Sequence, residues 1–185
     1  TTISVVYRGA FYNANNETII SVVVPVKTGY TFNGYTTVSN DATTAITNNA
    51  GVITAGLDFT TTDVVAYAYW TANVNSVTVN ATHVSVTNAP ETATSGVEYT
   101  ATFARVTGYS LPESLSGLTI NGVDAAEGSY TYTVATDGES AVLTIKADAV
   151  IGNIVITIDG VAKKPTVTLD ANGGKFAGAA EGWTI

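Results

Sequence analysis

The chain has 185 residues, 45% hydrophobic and 12% charged, with a formal net charge of -8 and a pI ≈ 4.3. Its 7 Lys plus Arg are too few to build a phosphate-tracking surface, which argues against nucleic acid and against an anionic membrane as partners. Cys is 0, so no disulfide framework or thiolate metal site can form, and no apolar run is long enough to span a bilayer.

Thr, Val, Ala, Gly and Asn dominate while Leu, Glu and Lys are scarce, a balance that favours pleated surfaces and turns over helices. The fold class predicted is all-β, in two modules. Met is also 0, which reads as a processed form or a segment of a longer protein.

Ile3, Val5 and Tyr7 alternate in a half-buried strand, followed by an Asn-rich turn region at 11–17. Residues 18–26 are almost continuously apolar and suit a strand covered on both sides, with Pro25 marking its end or a bulge. At 29–35 the run GYTFNGY puts Tyr30 and Phe32 on one face and offers Asn33-Gly34 as a tight turn. Residues 41–46 hold the one plausible helical turn of this half. Residues 63–70 read as a strand with Val64, Ala66, Ala68 and Trp70 on one side and Val65, Tyr67 and Tyr69 on the other.

Residues 71–76 are polar and read as a short linker. Beyond it the apolar positions change parity, from Val77 and Val79 to Val84 and Val86, which demands a bulge or bend near 80–82. Tyr99, Ala101 and Phe103 alternate; residues 108–112 read as a turn; Asn121-Gly122 reads as the tip of a hairpin. Tyr130, Tyr132 and Val134 share a face. Leu143, Ile145, Ile154, Ile156 and Ile158 supply two more inward rows, and about seven short strands in this length suit a sandwich. Residues 160–164 read as a second linker.

Through GYTFNGY at 29–35 and YAYW at 67–70, residues 1–70 resemble the Listeria-Bacteroides repeat, the internalin B-repeat family of small β-grasp-like modules on bacterial surface proteins. That family's repeat opens with a strand and a DANGG turn, which here stands at 167–174 as VTLDANGG, at the other end of the chain. Tyr35 stands where the family usually has Trp. Residues 77–160 resemble the Ig-like β-sandwich repeats found beside such modules, through GYSLP at 108–112, YTY at 130–132 and GNIVI at 152–156. What the resemblance implies is an extracellular, bacterial cell-surface stalk, adhesin or filament protein without cofactors, and not a catalyst.

Residues 165–185 begin a further β-grasp-like module, and residues 1–70 lack that module's opening strand. The expectation is head-to-tail assembly into a homopolymer, in which Val167, Leu169, Asp170, Asn172, Gly173, Gly174 and Phe176 of one unit complete the next unit's first module. The receiving residues are Ile3, Val5, Tyr7, Tyr30, Phe32 and Trp70. The same pattern arises if the units belong to one continuous polypeptide. The competing expectation is a monomeric adhesin module whose tyrosines stack on a carbohydrate or host protein.

Residues for chemistry are sparse. A single His83 lies on a strand, and one His with no Cys has no zinc spacing. Asp170-Ala-Asn172-Gly173 contains part of a calcium-loop pattern but lacks its later oxygens and closing Glu, so it reads as a turn. Lys27 or Lys146 would be the lysine of an isopeptide crosslink, by analogy with some Gram-positive surface domains. Asn16-Glu-Thr18 and Asn80-Ala-Thr82 match the glycosylation acceptor pattern, which an Asn- and Thr-rich chain meets by chance.

Overall fold

A computed structural model describes residues 4–6, 10–12, 15, 18–54, 65–170 and 172. Among these the regular structure is strand, apart from two single 3-10 turns at Ala42–Thr44 and Ala147–Ala149. The all-β class expected from composition is therefore observed. The first 3-10 turn falls where the sequence suggests it, because the Asp41 side chain accepts the Thr43 N–H at 2.9 Å and caps the turn.

In the N-terminal part, β1 (Ser4–Val6), β2 (Ala10–Tyr12) and β3 (Thr18–Ile19) form an antiparallel sheet in that order. A separate antiparallel pair joins β4 (Tyr30–Thr36) to β5 (Tyr67–Ala72), with Phe32 directly opposite Trp70. The turn expected at Asn33-Gly34 is a bulge inside β4. Gly34 takes φ +128°, and a Cβ on it would collide with the Thr47 carbonyl, so the glycine lets a neighbouring loop lie against the strand.

The covered strand expected over 18–26 is not formed. Pairing stops at Ile19 apart from an isolated bridge from Ser21 to Val52, and Ile20, Val23, Val24 and Val26 are 76, 68, 41 and 94% exposed. An apolar run says what burial would gain, but a covering layer must come from elsewhere in the chain, and among the described residues the hydrogen bonds that reach 20–26 come from residues 51–53, through Val22 N–H to Gly51 and Ile53 N–H to Ile20, and from the Tyr35 hydroxyl, which donates to the Val23 carbonyl at 3.1 Å. The strand expected over 63–70 starts later: Val65 and Ala66 are not in it, Val64 lies outside the described residues, and β5 runs on to Ala72. Tyr67 is exposed.

The linker expected at 71–76 shrinks to Asn73, because β6 (Val74–Thr82) follows β5 at once. After it come β7 (Val84–Asn88), β8 (Thr92–Thr94), β9 (Tyr99–Arg105), β10 (Tyr109–Ser110), β11 (Gly117–Ile120) and β12 (Val123–Asp124). The chain continues through β13 (Tyr130–Val134), β14 (Ser140–Ile145), β15 (Ile154–Asp159) and β16 (Val161–Ala162). One sheet has the order β12-β11-β15-β6-β8 and the other β13-β14-β9-β7, while β10 and β16 make a small pair at the side. Among the described strands only β6 and β15 run parallel, with Ile156 opposite Val79.

The two larger sheets share one core. Ile154, Ile156 and Ile158 with Leu118 and Ile120 from the first meet Tyr99, Ala101, Phe103, Leu143 and Ile145 from the second, all buried as the period-two rows require. Asn121 (φ +54°) and Gly122 (φ +76°) make the expected two-residue hairpin turn between β11 and β12.

The parity change is resolved one residue beyond the expected place. His83 adopts φ +56° and turns the chain from β6 in one sheet to β7 in the other, so that Val84 points into the core. The turn expected at 108–112 ends at Gly108, since Tyr109 and Ser110 pair with Ala162 and Val161. That pairing also removes most of the linker expected at 160–164: the chain stays bound as far as Lys163, whose N–H donates to Gly108 at 2.9 Å.

Candidate assembly surface

Past Lys163 the chain has no regular structure and is exposed through Asp170, and no strand among the described residues pairs with it. Val167 and Leu169 alternate with Thr166 and Thr168 and are 68 and 70% exposed. Asp170 accepts the Asn172 N–H at 2.8 Å, and Asn172 takes φ +45°, so this carboxylate closes a side-chain turn. Gly173, Gly174 and Phe176 lie outside the described residues.

Of the residues expected to receive such a segment, Ile3 and Tyr7 also lie outside them. Val5 sits in β1 opposite Phe11, in a different sheet from the β4 and β5 pair that holds Tyr30, Phe32 and Trp70. Phe32 is buried between two rings that meet it edge-on, Tyr35 at 5.2 Å and Trp70 at 5.4 Å. Tyr30 looks toward the sandwich: its hydroxyl occupies the space where Gly96 would carry a Cβ, and the Lys27 ammonium lies 3.7 Å from its ring centroid.

Sequence reasoning missed the polar seam joining β4 and β5 to the sandwich. Asn73 N–H donates to Gly29 at 2.9 Å, Ser95 N–H donates to Asn73 at 2.9 Å, and Thr31 donates to the Asn73 side chain at 2.6 Å. Behind it the buried Asn75 amide donates to Ser95 Oγ at 2.9 Å and to the Ala93 carbonyl at 3.2 Å. The signal was available as two asparagines flanking the strand junction in a region read only as polar.

The remaining chemistry is dispersed. His83 stacks on Tyr109 with centroids 4.1 Å apart and planes 8° from parallel, which accounts for the ring structurally. No group of three or more His, Cys, Asp or Glu that could hold a metal occurs among the described residues. Arg105 and Glu139 form a surface ion pair at 2.6 Å. An open depression of about 480 Å³ is lined by Ile120, Val123 and Ile151 together with Asp124, Glu127, Lys146 and Asp148.

Comparison with known proteins returns no matching family model, no matching curated protein and no matching solved structure.

Proposed function

We propose that this chain is a structural subunit or repeat unit of a bacterial extracellular filament or surface stalk, its β-grasp-like and Ig-like modules joined head to tail by strand complementation. The observation that carries this reading is the segment at 164–170, which leaves the sandwich with Val167 and Leu169 exposed and pairs with no strand among the described residues. Backbone groups without partners and alternating apolar side chains are what a donor strand presents before it is captured, and capture would supply a ladder of main-chain hydrogen bonds. The receiving partner in this reading is the first module of the next unit, on the side of Tyr30, Phe32 and Trp70. The exposed apolar residues Ile20, Val23, Val24 and Val26 belong to the same module and would gain cover in the assembly.

A monomeric adhesin binding carbohydrate or host protein would need an exposed aromatic patch. From Tyr30 onward, among the described residues, Tyr67 is the exposed Phe, Tyr or Trp side chain, and the others are at least half-covered.

Electron microscopy of the purified native material, compared with a protein lacking residues 165–185, tests the proposal. Filaments that vanish on deletion support it. Monodisperse native particles, or filaments that persist without the segment, overturn it. A denaturing gel then separates discrete subunits near 19.0 kDa from one very large polypeptide.

A further inference from the structure

Strand β13 is the open edge of the four-stranded sheet, and its hydrogen-bond phase shows what that edge offers. Lys146 N–H donates to Ser129 at 3.0 Å and Ala135 N–H donates to Ser140 at 2.8 Å, which fixes the bonded positions of β13 as the odd-numbered ones. Thr131 and Thr133 therefore spend their N–H and C=O groups on β14. Those of Tyr130, Tyr132 and Val134 point the other way, and no strand among the described residues meets them.

The other edges of the sandwich are protected. β7 carries a bulge between Val86 and Asn88, while β8 and β12 are only 3 and 2 residues long. β13 has five residues, with no proline, glycine, charge or bulge.

We propose that β13 pairs with β13 of a second copy of this chain, antiparallel about Tyr132, joining two four-stranded sheets side by side. The phase is self-complementary. Centring on Tyr132 sets Tyr130 opposite the partner's Val134 and lets the outward groups exchange about six main-chain hydrogen bonds. On the exposed face it sets Thr131 opposite the partner's Thr133, a favourable cross-strand pair. The strand itself is uncharged in a chain of net charge -8, so no like charges meet within the ladder. This contact is lateral and does not use residues 164–170, so it stands or falls separately from head-to-tail joining.

Sedimentation of the full chain over a concentration series, beside Thr131→Lys/Thr133→Lys and Thr131→Lys/Thr133→Glu, tests it. Both sites are exposed, so the folds survive. Expected is a reversible dimer that the double-lysine variant weakens by at least about tenfold, because lysines then face each other, and that the Lys/Glu variant restores. Hydrogen exchange on the unaltered protein gives an independent reading: the Tyr130, Tyr132 and Val134 amides gain protection as concentration rises. A dimer indifferent to the double-lysine change, amides that exchange equally at all concentrations, or a dimer lost with residues 165–185 overturns the proposal.

Discussion

The Asn75 side-chain amide donates to Ser95 Oγ at 2.9 Å, with both residues buried where the β4 and β5 pair meets the sandwich. Buried polar groups are costly when orphaned, so each of the two holds the other in place. Asn75→Ala is expected to destabilise by about 1 to 3 kcal/mol, since it orphans Ser95 and the Ala93 carbonyl together. Denaturant titration of both single variants and the double variant checks this: the double should cost less than the sum of the singles.

Ile156 is fully buried between the two sheets, opposite Val79 on β6. Truncating it to Ala leaves a cavity in a close-packed layer, and a loss of about 2 to 4 kcal/mol is expected from equilibrium unfolding. The neighbouring Val155 is only half-buried on the other face, so Val155→Ala should cost clearly less.

Gly160 follows β15 with its N–H donating to the Thr82 carbonyl at 2.8 Å, and a Cβ there would run into the His83 carbonyl. Gly160→Ala should therefore push apart the bend that carries the chain between sheets, at a cost of about 1 to 3 kcal/mol in a thermal or chemical melt. At Gly108 nothing crowds the missing Cβ but φ is +86°, so Gly108→Ala should cost only the conformational strain, about 1 kcal/mol.

Burial raises the phenol pKa of both Tyr99 and Tyr132 above its ordinary value. The unfolded chain then loses these protons first as pH rises. Their contribution to stability is full below about pH 10 and declines as pH climbs through the raised folded values. The two differ in their partners. Tyr99 donates to the Pro90 carbonyl at 3.0 Å, whereas the buried Tyr132 hydroxyl has no partner. Tyr99→Phe should cost about 1 kcal/mol at neutral pH, and Tyr132→Phe should be neutral or stabilising. Unfolding curves measured from pH 8 to 11 should show a shallower alkaline decline in both variants.

Asp41 accepts the Thr43 hydroxyl at 2.6 Å and its N–H at 2.9 Å, and these bonds hold its carboxyl below the usual aspartate range. The capping contribution is thus present above the unfolded pKa and disappears as pH falls through the lowered folded value. An NMR titration of the Asp41 carboxyl should show a lowered midpoint that returns toward normal in Thr43→Ala.

Much of the sandwich was legible in the chain. The rows Tyr99, Ala101, Phe103 and Ile154, Ile156, Ile158 alternate with polar or half-buried neighbours, and such a period follows from the geometry of a single strand. The Asn121-Gly122 turn was legible for the same reason, because positive φ at two adjacent residues is a local property. The turn at Asp170 could also be read, although Gly173, Gly174 and Phe176 lie beyond the described residues.

Sequence by itself determined the strand class, the inward faces and the short turns, since each depends on residues adjacent in the chain. Tertiary structure alone decided that His83 and not residues 80–82 makes the bend, that Asn33-Gly34 bulges within β4, that Ile20, Val23, Val24 and Val26 stay exposed, and that no described strand pairs with the outer side of β13. Each of these depends on what lies across from a strand, such as the Thr47 carbonyl against Gly34 or the absence of a described neighbour beside Tyr132. A partner contributed by residues distant in the chain leaves no mark on the local pattern of the strand it covers or leaves bare.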